Sequence, residues 1–409
     1  MFANFLNPNE MTQVGNELRT SFVGFLPEII VCLGIIMMLI FRLTKGSHKT
    51  PMGNFALTFV VMALIVSLFQ WCEGKIVLPL IGELDFSSVF TDLEGSDGRG
   101  RGDLFSGMLV NDYLTVFVRL FLYTFAILVI VLTRLSGIPD NEDSADFHTL
   151  LLGGVLGMVL MGAANHLLMV FMAIEMASLP SYALVGFLKG RRQSSEAALK
   201  YVVYGGGAAG VMLYGISLIV GRFGTGYLPD VAAGFSEAIA ANGADPMLIL
   251  GVLFILIGIA FKLSAVPFHF WCPDVFEGAS AEVGGFLSVA SKGAALALLA
   301  RLSLLLGGVS VGGFPIHSQA FLDYLVPALC VLAIITATFG NLAAYRQTNL
   351  KRLLAYSTIA HAGYMIMGLA VIKTVGVEAV LFYMVAYLLI DMGAFAVVAF
   401  FRNLTGTED

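Results

Sequence analysis

The sequence predicts an all-α polytopic membrane protein of about eleven transmembrane helices, and three observations predict it. Apolar residues are 58% of the 409 and charged residues only 12%, with a mean hydropathy of +0.89. A soluble domain carries roughly 25% charged residues. Apolar runs long enough to cross a bilayer, roughly 20 residues, recur along the chain. Charged residues gather between these runs, apart from a few that lie deep inside them.

The runs fall near 21–42, 54–72, 112–134, 147–164, 166–188, 196–221, 247–271, 282–307, 322–344, 350–372 and 376–402. The first is long and no small-residue cleavage site follows it, so it reads as a span and not as a cleavable signal peptide. Between Cys72 and Val110 lies a polar, glycine-rich, acidic segment with Asp92, Glu94, Asp97 and Asp103. Residues 222–245 read as a second, looser loop.

Basic residues set the orientation. One side holds Arg42, Lys45, Lys49, Arg134, Lys189, Arg191, Arg192, Arg346, Lys351, Arg352 and Arg402. The other holds Arg19, Lys75, Arg99, Arg101, Arg222 and Lys373, several of them diluted by acids. The N-terminus is therefore expected outside and the C-terminus on the cytoplasmic side.

Composition also narrows the chemistry. The net charge of -6 arises from acids clustered in loops, and nucleic acid is not an expected partner. Cys32, Cys72, Cys272 and Cys330 are far apart and lack metal or iron–sulfur spacing. No glycine-rich nucleotide loop follows a strand. No cofactor is expected in this chain, so any redox chemistry must occur on a partner.

The ionisable residues inside the runs are the candidate functional groups. Glu175 sits near the middle of the fifth run, Lys262 late in the seventh, Lys292 mid-eighth and His361 midway along the tenth. Tyr356, Ser357, Thr358 and Tyr364 accompany His361. Charges in hydrocarbon are rare and mark ion pathways or pairing sites. Four groups at similar depth suggest a row in the membrane plane. Burial disfavours each charge, and a nearby opposite charge restores it. At 4 Å and an effective dielectric near 20, that attraction is about 4 kcal/mol. A Glu175–Lys262 pair would thus hold a proton when closed and let Lys262 release it when open. Neutral hydroxyls and imidazole can hold the waters that link such stations.

Plainer roles stay open. A lone lysine can snorkel or join two helices, and a histidine can simply pack. Arg119 and Arg301 lie nearer helix ends, where snorkelling is favoured. Asp391 fits either a functional carboxylate or a partner for a neighbouring subunit.

The seventh run contains two prolines, Pro267 and Pro273, expected to break it at membrane depth and to free the carbonyls of Leu263 and His269. Irregular backbone there is tolerated where it lines a polar path or packs on protein. A hinge beside Lys262 or a packing kink both follow.

Several segments together resemble the antiporter-like membrane subunits of respiratory complex I, the subunit N family above all. They are LPEII at 26–30, IEMASLPSYALVGF around Glu175, EAALKY at 196–201, LYGISLIVG at 213–221, GIAFKLSAVPFHFWCPDVFEG at 258–278, FLSVASKGAALALLAR around Lys292 and residues 339–368. PDVFEG, where sister subunits tend to have PDAH, favours subunit N over L or M. The resemblance implies an antiporter-like fold with inverted five-helix repeats. It divides the chain into 1–146 (three helices and the acidic loop), 147–308 (the first repeat, with the broken helix) and 309–409 (part of the second). It implies Glu175 pairing with Lys262, Lys292 as the middle relay and His361 beyond it. Pro267, Pro273, Tyr356, Ser357 and Asp391 would support that relay.

The same resemblance implies proton translocation driven by quinone reduction elsewhere. NADH, FMN, iron–sulfur clusters and quinone would lie on partner subunits. The partners would be M-type and small K- and J-type membrane subunits, in a lipid bilayer. Two departures stand out. The family has fourteen helices, and the twelfth, broken and basic, lies beyond the eleven read here. Asp391 stands where the family more often has a small polar residue. Two rivals share these features: a multi-subunit sodium/proton antiporter, and a non-conducting scaffold.

Overall fold

A computed structural model describes residues 8–43, 52–72, 75–78, 82–85, 102–139, 143–188, 190–242, 245–306 and 319–405. Helices α1 (Pro8–Gly24) and α2 (Leu26–Arg42) form one bent pair, followed by α3 (Met52–Trp71). Two hairpins follow, β1 (Lys75–Leu78) with β2 (Gly82–Asp85) and β3 (Gly102–Leu104) with β4 (Leu109–Asn111), both antiparallel. Asp92, Glu94 and Asp97 lie outside the described residues.

The chain continues through α4 (Tyr113–Ser136), α5 (Ser144–Ala163), α6 (Leu167–Val185), α7 (Arg192–Phe223), α8 (Leu228–Asn242) and α9 (Pro246–Leu263). Then come the short α10 (Trp271–Gly278) and α11 (Ala281–Phe286), a π-helical turn over Leu287–Ser291, and α12 (Lys292–Leu306). Helices α13 (Gln319–Ala344), α14 (Leu350–Leu369) and α15 (Thr374–Thr405) complete it.

A helix stands at each of the eleven expected spans. Among the described residues nine are long and apolar enough to cross a membrane, or ten counting the bent α1–α2 pair. Helix α14 falls short of that apolarity because it carries Lys351, Arg352, His361 and the Tyr356–Thr358 run. One expectation is corrected: residues 222–245 are not a loose loop, since most of them form α8. Its Leu228, Val231, Ala232 and Phe235 recur at helical spacing and are buried. Fifteen residues span only about 22 Å, too short to cross, so this helix caps the bundle beside α12 and α13.

Helix starts follow local chemistry. Asp112 accepts from the Thr115 amide at the start of α4, Asp245 from Met247 at α9, and Asn349 from Arg352 at α14. Each satisfies a backbone donor that the helix itself leaves open. Gly137 and Gly224, both at positive φ, end α4 and α7.

The segment α11–π-turn–α12 is the axis of the molecule. Over Ala281–Leu305 its best apolar window is wholly buried, packed among α4, α5, α9, α14 and α15. The outer helices instead expose Leu39, Ile40, Leu199, Val203, Phe382, Leu389 and Ile390. Apolar side chains on that surface suit lipid. Between α5 and α6 the backbones touch: a Cβ at Gly157 would strike the Ala177 backbone. That contact fixes the α6 turn bearing Glu175 and Ser178.

Candidate functional site

Lys262 is near the C-terminal end of α9 and fully buried. The helix stops one residue later because Ser264 turns to positive φ (58°) and the Ala265 amide bonds back to the Ala260 carbonyl. Residues 264–270 run irregularly before α10 begins. The loose backbone is tied down rather than left open. The Val266 amide donates to Thr336 Oγ1 at 3.0 Å, and Trp271 Nε1 donates to the Phe261 carbonyl at 3.1 Å. The Trp271 ring stacks on Tyr201 at 4.3 Å.

The expected roles of the two prolines divide. Pro267 lies inside the break, after a cis peptide bond. Pro273 does not break a helix but sits in the first turn of α10, where an amide has no intrahelical partner anyway. Nor is the His269 carbonyl freed, since it accepts from the Cys272 amide at 2.9 Å.

Lys262 Nζ donates to Ser178 Oγ at 3.1 Å, and Ser178 in turn donates to the Ile174 carbonyl at 2.6 Å. Glu175 stands three residues before Ser178 on α6, half-buried. It is near enough for its charge and that of Lys262 to act on each other, yet the two form no ion pair. Residues three apart on a helix are neighbours. The flexible lysine therefore has two acceptors within one turn, a hydroxyl it occupies and a carboxylate it does not.

Lys292 is 1% exposed at the head of α12, just past the π-turn. It donates to Thr358 Oγ1 of α14, and its ammonium stands 5.9 Å from the Phe276 ring centre. The hydroxyl that meets it is thus Thr358, not Tyr356 or Ser357. Tyr356 packs against Phe339 instead. Single π-turns inside α-helices often mark functional sites, since the extra residue re-aims the side chains that follow.

His361 joins the far end. Its Nδ1 lies 2.6 Å from the Tyr383 hydroxyl, and its ring centre 4.9 Å from that of Tyr387. Tyr387 and Ser288 share a 2.7 Å hydrogen bond. Asp391, 4% exposed, faces Ser288, Tyr387 and Lys292. Ser178, Ser288, Tyr383 and Tyr387 were not singled out as contacts of the charged residues, and Thr358 was named only beside His361. The usable signal was spacing: Ser178 follows Glu175 by three, and Ser288 precedes Lys292 by four.

Two further expectations are corrected. Arg119 and Arg301 do not snorkel to water. Arg119 is fully buried, with Nε 2.6 Å from Glu28 Oε1, and it also donates to Gln70 and Asn111. Arg301 meets Asp112 with two nitrogens, at 2.7 and 2.9 Å, and also reaches the Gly162 carbonyl. Each found a carboxylate on another helix or helix start before it could reach water. A third buried clamp was not foreseen. Arg402 of α15 holds Glu282 of α11 at 2.9 and 3.2 Å.

At the end of the bundle near α10, Asp274 accepts from Lys200 at 2.7 Å and from Arg352 at 2.8 Å. Burial would raise the Asp274 carboxyl, but these hydrogen bonds and charges outweigh it and hold it below the usual carboxylate range.

Comparisons with known proteins identify the family and the fold. Residues 164–409 match the family described as NADH:quinone oxidoreductase/Mrp antiporter, TM. An NADH-quinone oxidoreductase subunit N of Anaeromyxobacter sp. is 41% identical over 365 residues, covering 86% of this chain and 70% of the relative. Another, from Chlorobium chlorochromatii, is 35% identical over 403 residues, covering 98% and 72%. Among solved structures, a chain of respiratory complex I from Thermus thermophilus superposes with a TM-score of 0.68 at 29% identity, covering 91% of this chain and 70% of that one. A chain of the Mrp complex from Dietzia sp. gives 0.72 at 16% identity, covering 93% and 64%, which speaks to the fold alone.

Proposed function

The chain belongs to the NADH:quinone oxidoreductase/Mrp antiporter family, alongside its subunit N members, and on that premise we propose that it is a proton-translocating membrane-arm subunit of NADH:quinone oxidoreductase. Electron transfer from NADH to quinone would occur in other subunits, which would carry the flavin and iron–sulfur centres. Neighbouring membrane-arm subunits, including M-type and small K- and J-type chains, would pass the driving charge rearrangement to this one. The division at 147 and 309 into an N-terminal unit and two repeat segments belongs to the same proposal.

One observation carries the reading: Lys262 is fully buried yet held by a serine, with Glu175 one turn away and in no ion pair among the described residues. In the observed arrangement the ammonium rests on Ser178. A swing of its butyl chain to Glu175 closes an ion pair that favours the charged lysine. Opening the pair returns Lys262 to the hydroxyl, where releasing its proton is easier. Lys292, also on a hydroxyl, receives next, and His361 with its tyrosines lies beyond. The broken helix beside Lys262 supplies the play that such a swing requires.

The orientation is proposed with the N-terminus outside. It rests on Arg42, Arg134, Arg191, Arg192, Arg346, Lys351, Arg352 and Arg402, which fall near the ends of odd-numbered expected spans or in the stretches that follow them. Lys45, Lys49 and Lys189 lie outside the described residues.

The test is proton translocation per NADH oxidised in the reconstituted complex carrying Lys262→Ala or Glu175→Ala. Translocation should fall by roughly 10²-fold, the scale for losing a positioned proton-transfer group, with complex yield little changed. Full coupled pumping in both variants ends the proposal. Salt-dependent antiport independent of NADH oxidation would move the chain to the sodium/proton antiporters. A changed yield with unchanged pumping per complex would make it a scaffold.

A further inference from the structure

The relay reading counts Asp391 as supporting but gives it no step of its own. Asp391 sits on α15 at 4% exposure, and its Oδ2 has no hydrogen-bond partner among the described residues. A buried carboxylate oxygen left unsatisfied is costly, so a group in that state calls for a role. Its surroundings supply one. Tyr383, Tyr387 and Asp391 recur at intervals of four, so they form one stripe along α15. That stripe meets three groups from other elements: Lys292 of α12, Ser288 of the π-turn and His361 of α14. Lys292 and Tyr387 also share the lining of one crevice, otherwise mostly apolar (Phe121, Val289, Leu296, Met365 and Met384) and too narrow to hold a water.

We propose that Asp391 is the proton acceptor for Lys292, and that the Tyr387 hydroxyl carries the proton onward to His361. This rests on the proton-translocation reading and deepens it. Lys292 rests on Thr358 and forms no ion pair with Asp391 in the observed arrangement, so the first step begins with its side chain swinging off that hydroxyl to the carboxylate. One N–H bond of the ammonium then breaks and an O–H bond forms on Asp391. A neutral amine and a neutral carboxylic acid remain. In the second step the acid gives its proton to the Tyr387 oxygen as that hydroxyl releases its own toward the His361 imidazole. Carboxylate and phenol are restored and the imidazole carries the charge. In the observed arrangement the Tyr387 hydroxyl shares a 2.7 Å hydrogen bond with Ser288, and His361 meets the stripe through the Tyr383 hydroxyl at 2.6 Å and the Tyr387 ring at 4.9 Å. The two halves of the row then share one design: a buried lysine resting on a hydroxyl, with a carboxylate close by and unpaired. On α6 that carboxylate is Glu175, and on α15 it is Asp391.

The experiment uses the whole complex in proteoliposomes, with Asp391→Asn, Asp391→Glu and Lys292→Ala compared with the parent. Protons translocated per NADH oxidised are measured together with the infrared difference spectrum during turnover. Asp391→Asn should lower translocation on the order of 10²-fold, and Asp391→Glu should restore most of it. The parent should show a carboxylic-acid C=O band on turnover that vanishes in Asp391→Asn and shifts in Asp391→Glu.

Parental pumping in Asp391→Asn, with Lys292→Ala impaired, overturns the role of Asp391 and leaves the broader reading standing. Parental pumping in Lys292→Ala and Lys262→Ala as well removes the broader reading itself. Loss of pumping with a C=O band that ignores both Asp391 substitutions also overturns the proposal, because Asp391 would then only position Lys292. If Asp391→Asn fails to assemble, the band and its shift in Asp391→Glu decide alone.

Discussion

The buried arginines and the buried lysines of this protein are treated in opposite ways. Arg119, Arg301 and Arg402 are each closed onto a carboxylate, Glu28, Asp112 and Glu282, at 2.6 to 2.9 Å. Each of those contacts joins elements distant in sequence. Lys262 and Lys292 are as deeply buried but rest on Ser178 and Thr358, with Glu175 and Asp391 near and unpaired. A guanidinium keeps its proton and grips a carboxylate in a fixed fork, whereas an ammonium on a flexible stem can shed its proton. Clamped guanidinium groups therefore tie the frame together, and in the proposed relay the two ammonium groups inside it are the ones that exchange protons.

Breaking a clamp should have the largest effect. Arg119→Ala strands Glu28 in the protein interior, and removing one partner of a buried pair costs about 3–5 kcal/mol. The expected outcome is little assembled complex after mild solubilisation. Parental yields would show that the clamp is not structural and would collapse the contrast. Lys262→Arg probes the other class. It keeps charge and bulk, so assembly should persist, while pumping falls by roughly 10²-fold because the guanidinium does not release its proton. Pumping at the parental rate would mean that Lys262 never changes protonation.

Ser178→Ala sharpens the comparison by removing only the resting place of Lys262. A hydrogen bond to a charged group is worth about 1.5–3 kcal/mol. Its loss should drive the lysine onto Glu175 and slow turnover by about tenfold or more, with yield unchanged. Faster turnover would reverse the assigned roles of hydroxyl and carboxylate.

The smallest effect belongs to the exposed ion pairs around Asp274, which join α7, α10 and α14. Partly exposed pairs contribute about 0–1 kcal/mol. Because the Asp274 carboxyl is held below its usual range, its contribution is complete above the unfolded value of about 3.9. It is lost as pH falls through the lower folded value. Melting of the detergent-solubilised complex should lose this increment in acid for the parent and not for Asp274→Asn. Parallel curves would show that the pairs add nothing.

The spans were legible because a helix that crosses hydrocarbon must be apolar along its length, and that is a property of local sequence. Helix α8 was missed for the same reason: too short to cross, it carries its signal in the spacing of Val231, Ala232, Phe235 and Ile239 rather than in length. The candidate charges were legible too, since Glu175, Lys262, Lys292 and His361 interrupt apolar runs where charge is disfavoured. The partners were not. Arg119 and Glu28 are 91 residues apart, and Glu282 and Arg402 are 120 apart. Nothing local tells a snorkelling arginine from a clamped one.

The sequence by itself determined that this chain lives in a bilayer, where its spanning helices fall, and which residues bring charge into the apolar interior. Those follow from transfer free energies that each segment carries alone. Only the tertiary structure decided which charges close and which stay open. It placed Ser178 rather than Glu175 against Lys262, Thr358 against Lys292, and the Tyr383–Tyr387–Asp391 stripe against both Lys292 and His361. Pairing depends on distances between side chains on different helices, and those distances are set by packing around the buried α11–π-turn–α12 axis.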